Sequence, residues 1–280
     1  MAAPEPFSLF SSLRYDPILL AATDNVPPSP FYLLHYHHDR ILRAAHHFKW
    51  PTSATSPLTP LTLLNACVAA AADSPAPLKL RILLSPTGVL TVSTSPTIPA
   101  SLSALLPTSL PPPTAYSPTW RVRLDTEPTV PSPYTSHKTT SRQHYVAARV
   151  RAKIPELTTE EEVVLWNDEA ECMEGSITSV YFWRSGRWTT PGLECGGNNG
   201  TTRRWLLERG VVREDVVLAQ TVSAGEVVLM SNGVRGVWAG VVQAAWAGDV
   251  RGRPGRAGWV GRLGLGRNKC EQGCRISSRR

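Results

Sequence analysis

Apolar positions recur at two spacings along the chain, and the switches between them outline its elements. FSLFSSLRYDPILLAA reads as a strand leading into a short apolar element. FYLLHYHHDRILRAAHHF reads as a strand running into a helix, where Ile41, Leu42, Ala45 and Phe48 fall on one side at steps near three and four. In LKLRILLSPTGVLTVSTS two β-rich runs flank Ser-Pro-Thr-Gly, the pattern of a hairpin, and TWRVRLDT reads as a further strand. Residues 51–135 hold 16 of the 25 prolines, and apart from these runs long loops are expected there because proline fits neither helix interiors nor central strand positions.

A Pro/Ser/Thr-rich stretch, DTEPTVPSPYTSH, separates this half from the next and reads as an interdomain linker. Beyond it come a helix at RQHYVAARVRAKIP, a strand at EEVVLWND and a hairpin return at GSITSVYFWRSGRWTTP. A helix at GTTRRWLLERG and strands at REDVVLAQTVS and EVVLMSN complete the pattern. The expected organisation is a small N-terminal domain with Pro-rich loops (1–126), a linker (127–137), a larger domain (138–245) and a tail (246–280). Helices mixed with hairpins give a mixed α/β class with antiparallel or mixed sheets. From Trp246 onward periodicity is lost among Gly and Arg, and the tail reads as disordered or as an end unrelated to the rest, with no role assigned.

Charge changes this picture little. The net +7 sits in the tail, where nine Lys or Arg face Asp249 and Glu271, so residues 1–248 are neutral and a nucleic-acid partner is not expected. No run of 18 apolar residues appears, and the opening MAAPEPFSLF has neither the order of a secretory signal nor that of a transit peptide. A cytoplasmic protein without membrane contact is expected. The 5 cysteines are odd in number, scattered and never in a C-x-x-C pair, so reduced thiols are expected rather than a disulfide framework or zinc site.

Several short segments could carry chemistry. Lys138 follows the linker among His137, Arg142 and His144; a desolvated ammonium near other cations loses its proton easily, which makes this lysine a candidate Schiff-base former. Glu174 opens EGSIT, by itself no more than a turn signal. GGNNGTTRRWLL runs a glycine-rich loop into a helix opening with Thr201 and Thr202, a cradle for an anion or an ordinary helix start. SNGVRG at 231–236 is a tight turn that could present further donors. The histidines around Arg40 lack a carboxylate at ligand spacing, so no metal is expected and a phosphate fork is the better use of Arg40.

The order of these segments is more specific than any of them. H-x-x-R, then H-K-T-T-x-R-x-x-Y, N-D-E-x-x-x-M-E-G-S-I-T, T-P-x-L-x-x-G-x-x-x-G-T-T-R and S-N-G-x-R-G, running from about Phe7 to about Trp238, resemble the fold type IV pyridoxal-phosphate enzymes. That class contains branched-chain and D-amino-acid aminotransferases and aminodeoxychorismate lyases, and the chain looks most like the fungal lyases. The resemblance implies a two-domain fold whose larger domain has a mixed, barrel-like sheet, a small-molecule substrate and a homodimer. It implies that Lys138 holds pyridoxal 5′-phosphate through its amine and shuttles the substrate's α-proton. Glu174 is implied to bind the pyridine nitrogen, and Arg40, Gly200, Thr201, Thr202, Asn232, Gly233 and Val234 to hold the phosphate. Arg142 and Tyr145 are candidates for positioning substrate or lysine. Lys138-x-x-x-Arg142 resembles the lyases, the alternative being an aminotransferase for D-amino or branched-chain amino acids. The family continues past 231–236 with further strand and helix, and here the Gly/Arg-rich end takes their place.

Overall fold

The computed structural model describes residues 7–22, 28–154 and 160–244, so the tail at 246–280 lies outside the described residues. Near the N-terminus, β1 (Leu9–Tyr15), β2 (Leu78–Leu84) and β3 (Leu90–Pro96) form an antiparallel sheet in the order β1-β2-β3. Leu9, Leu13, Leu80 and Ile82 face a core shared with α1 (Leu34–His47), which contributes Ile41, Ala44 and Ala45. The strand expected ahead of α1 is reduced to one bridge, Tyr15 to Phe31, because Leu33 turns left-handed (φ 53) and starts the helix.

The Pro-rich stretch is more ordered than expected. After the single turn α2 (Thr52–Thr55) comes α3 (Pro60–Ala71), which buries Leu63 and Cys67. Pro60 starts this helix instead of breaking it: proline is tolerated in the first turn, and Thr59 caps it by accepting from the Thr62 N–H at 3.1 Å. The short helix α4 (Leu102–Leu105) follows.

The larger sheet has eight strands: β4 (Trp120–Leu124), β5 (Glu161–Trp166), β6 (Cys172–Gly175), β7 (Ser179–Arg184), β8 (Arg187–Pro191), β9 (Arg213–Asp215), β10 (Val227–Asn232) and β11 (Gly236–Val242). Their order is β6-β5-β4-β11-β10-β7-β8-β9, with β4 parallel to both β5 and β11, and β8 parallel to β9. The sheet is curled, and its ends meet: Cys172 N–H donates to the Val217 carbonyl at 2.8 Å and Ala219 N–H to that of Ala170 at 2.7 Å. This is the mixed, barrel-like sheet expected. Inside it Val122, Val164, Val180, Phe182, Val228 and Met230 pack together, with Val180 and Phe182, and likewise Val228 and Met230, two residues apart on one strand.

The closure also explains why REDVVLAQTVS is not one long strand. Only Arg213–Asp215 follows β8; Val217 and Ala219 turn away to bond the opposite end, and Ala219–Thr221 is a 3-10 turn. Strand β4 lies ahead of the 127–137 segment in sequence yet is built into this sheet. Three helices complete the described chain: α5 (Pro133–Ser136), α6 (Gln143–Arg151) and α7 (Thr201–Glu208). Among the described residues no helix is long and apolar enough to cross a membrane.

Candidate active site

One edge of β1 pairs with β2, and the other organises the site. Along that edge Phe10 N–H donates to the Lys138 carbonyl at 3.1 Å, Thr140 N–H to Ser8 at 2.9 Å, and Arg14 N–H to the Gly233 carbonyl at 2.9 Å. A single strand thus fixes both the lysine segment and the 232–234 turn. The Lys138 ammonium lies 5.1 Å from the centroid of the Phe10 ring, with the guanidinium carbons of Arg81 at 4.3 Å and Arg142 at 5.7 Å from the same centroid. Burial of the ammonium, then Arg142 and Arg40, push the pKa of Lys138 well below its ordinary value against the opposing pull of Glu174. A lowered pKa favours the neutral amine, the form able to act as a nucleophile or base.

Glu174, on β6, is 7% exposed. Burial lifts its pKa from 4.5 to about 7; the Tyr145 hydroxyl, which donates to Oε1 at 2.5 Å, then Lys138, Arg142 and the Asn198 N–H hold it down from going higher. Tyr145 thus spends its hydroxyl on Glu174. Arg142 stacks 4.1 Å from the Tyr145 centroid and donates to the Ser176 carbonyl at 2.6 Å, so the two residues pack as one unit beside Lys138 and Glu174.

Glu174 and Ile177 line a cleft together with Arg40, Gly200, Thr201, Thr202, Asn232 and Gly233. At that end polar atoms wait for an acceptor or donor. Arg40 Nε and Thr201 Oγ1 are buried without a hydrogen-bond partner, while Arg40 Nη1 reaches Ser11 Oγ at 3.3 Å. No side chain caps α7, so its first N–H groups face the cleft end with their partial positive charge. Thr202 Oγ1 donates to the Asn232 carbonyl at 3.0 Å, tying the helix start to the turn. Asn232 Oδ1 accepts from the N–H groups of Val234 and Arg235 at 3.0 and 2.9 Å, so Val234 shapes the turn with its N–H already engaged. Arg204 of α7 pairs with Asp39 of α1, and Tyr36 donates to Glu208, which locks the helix carrying Arg40 to the helix carrying the threonines.

A buried guanidinium edge, a free hydroxyl and an uncapped helix start form an anion cup, the Glu174 carboxylate lines the same cleft, and the desolvated Lys138 amine lies near enough to interact electrostatically with both Glu174 and Arg40. That set fits the phosphate, pyridine nitrogen and aldehyde of pyridoxal 5′-phosphate. A second depression at Pro128, Val130, His144 and Arg151 does not contain Glu174, and Arg151 there is committed to Asp125.

Ser11, His37, Arg81 and Glu162 were not singled out from the sequence as individual site residues. Ser11 alternates with Leu9 and Leu13 on the inward face of β1, a buried polar position that the pattern alone could have flagged. Its hydroxyl lies within hydrogen-bond distance, 2.7 Å, of His37 Nδ1 and accepts from Arg40. Gly233 leaves no room beside that ring: an added Cβ would lie 2.6 Å from His37 Cε1 and 2.7 Å from the Ser12 carbonyl. Gly233→Ala is expected to cost about 1–3 kcal/mol by overpacking and to weaken pyridoxal-phosphate binding, read from a denaturant melt and a cofactor titration. Wild-type affinity in that variant would remove the turn from the cup.

The amino-transferase class IV family matches residues 21–241. The aminodeoxychorismate lyase of Saccharomyces cerevisiae is 36% identical over 130 residues, 41% of this chain and 35% of that protein. A Schizosaccharomyces pombe relative is 34% identical over 114 residues, 40% of this chain and 49% of its own length. The matched part thus spans a third to a half of these curated relatives. The branched-chain amino acid aminotransferase of Escherichia coli superposes with a TM-score of 0.60 at 14% identity, covering 85% of this chain and 77% of that one, a likeness of fold alone.

Proposed function

Because the chain belongs to the class IV aminotransferase family, a family of enzymes, we propose that it is a pyridoxal-phosphate-dependent lyase that cleaves 4-amino-4-deoxychorismate into pyruvate and 4-aminobenzoate. The observation that carries the choice of reaction is the pair of guanidinium groups, Arg81 and Arg142, gathered with Lys138 around Phe10. Aminodeoxychorismate brings two carboxylates to such a place. The alkyl side chain of a branched-chain amino acid would instead strand those cations against hydrocarbon. The named yeast lyase supports the same choice.

When bound, the cofactor supplies an electron sink for the carbanion left by α-proton removal. The chain's own residues do the rest. Lys138 holds the cofactor and takes the proton from the amine-bearing carbon; Glu174 keeps the pyridine nitrogen protonated; Arg40, Thr201, Thr202 and the α7 start anchor the phosphate. As the ring C–O bond breaks, the ring becomes aromatic and the three-carbon fragment leaves as the enolate, whose methylene carbon takes up a proton to give pyruvate. We extend the reading to a homodimer in the cytoplasm, with the boundary between small and large domains ahead of β4 rather than at 127–137, since β4 belongs to the large sheet.

The full chain loaded with pyridoxal phosphate and given aminodeoxychorismate is expected to release pyruvate and 4-aminobenzoate in equal amounts. Keto-acid exchange with D-alanine or leucine, without 4-aminobenzoate, would replace the lyase by the aminotransferase.

A further inference from the structure

The carboxylate of Glu162 is completely buried, yet it lines no part of the cleft. Burying a carboxylate costs several kcal/mol unless its oxygens are satisfied. Here they are satisfied almost entirely by one turn. Oε1 accepts from the Val163 N–H at 2.9 Å, the Ser176 N–H at 3.0 Å and the Ser176 hydroxyl at 2.6 Å. Oε2 accepts from the Ile177 N–H at 3.2 Å and the Thr178 hydroxyl at 2.8 Å. Arg149 stands 3.9 Å from Oε1 and donates to the Ser176 hydroxyl at 2.9 Å, which adds positive charge without filling an acceptor position.

Residues 176–178 are the connection between β6, which ends just past Glu174, and β7. Gly175 N–H donates to the Thr178 carbonyl at 2.9 Å, so the chain wraps around the carboxylate. The fit leaves no space: a Cβ at position 175 would lie 2.9 Å from the Glu162 carboxylate and 2.2 Å from Thr178 Oγ1. Everything this turn presents outward belongs to the site. Ile177 and Thr178 form the wall of the cleft beside Glu174, and the Ser176 carbonyl is the acceptor that holds Arg142 next to Lys138.

We infer that Glu162 is a positioning residue of the enzyme, an internal anion around which the 175–178 turn is built, setting the wall that receives the cofactor ring and the acceptor that aims Arg142. It touches neither cofactor nor substrate and acts through Ser176, Ile177 and Thr178. The inference rests on the reading that pyridoxal phosphate binds this cleft and not on the choice between lyase and aminotransferase.

Glu162→Gln keeps the shape but turns an NH2 group toward N–H and O–H donors. Titration of the full-length apo-protein with pyridoxal 5′-phosphate is expected to give a Kd raised at least ~10-fold, the equivalent of about 1.4 kcal/mol. Leu63→Ala, in the other sheet's core, supplies the baseline for instability alone: a lowered Tm with Kd within about two-fold, since a general loss of stability leaves a folded site intact. A Kd shift in Glu162→Gln no larger than that of Leu63→Ala overturns the inference. Should Glu162→Gln not fold, Ser176→Ala removes one donor and leaves the carboxylate; a several-fold rise in Kd supports the inference, and an unchanged Kd overturns it. Wild-type protein that binds no pyridoxal phosphate overturns the cofactor reading and this inference with it, whereas binding without 4-aminobenzoate production overturns only the lyase.

Discussion

Lys138→Ala is expected to lose the visible band of the bound cofactor and to lose turnover by on the order of 10⁴-fold or more, beyond the usual contribution of one acid–base group because the same amine also anchors the cofactor. The structure gives the reason such a loss is specific. Burial and the neighbouring Arg142 and Arg40 depress the Lys138 pKa, so the folded state binds fewer protons at this position than the unfolded chain. Folding stability arising from this group therefore rises with pH up to the ordinary lysine range and is reduced below it. Removing the amine should make the apo-protein no less stable at neutral pH, with the difference from wild type shrinking as pH climbs. Denaturant melts across pH 6–10 read the second effect and absorbance with product assay the first. An alanine variant that folds and still turns over within a few-fold of wild type would take Lys138 out of the chemistry.

How much of this was readable beforehand depends on whether the information is local. Helix α1, the β2–β3 hairpin and the β7–β8 return follow from spacing and turn residues, which act within a few positions. Partner choice in the large sheet does not: nothing in TWRVRLDT says that it lies parallel to both β5 and β11, or that Val217 and Ala219 leave their strand to close the barrel. The prolines misled because their position matters more than their number, as Pro60 at a helix start demonstrates. The same divide runs through the site. Lys138, Glu174, Arg40 and the Thr201–Thr202 helix start were legible as an ordered set of motifs. Ser11, Arg81 and Glu162 come from strands whose neighbours are set by tertiary pairing, and EEVVLW gives no hint that its second glutamate is wrapped by a turn more than a dozen residues away.

Glu174→Gln should separate two roles that Lys138→Ala removes together. The phosphate cup and the lysine are untouched, so the variant is expected to bind pyridoxal phosphate and form the visible band. It should nevertheless lose turnover by on the order of 10²–10³-fold, the usual cost of deleting one preorganised charge from an active site, because a neutral amide stabilises a protonated pyridine nitrogen poorly. A pH signature accompanies the loss. In the folded apo-protein burial lifts Glu174 from 4.5 to about 7, so between those values the native state keeps a proton that the unfolded chain has released. Apo stability contributed by this group is thus greatest below pH 4.5 and declines as pH rises through 7, the reverse of a salt-bridged carboxylate. The glutamine variant lacks that decline, and its stability profile between pH 5 and 7 should be flatter than wild type. Melts of the two apo-proteins over that range, with kcat measured at saturating cofactor, test both halves; turnover in Glu174→Gln within a few-fold of wild type would mean that the electron sink does not depend on this carboxylate.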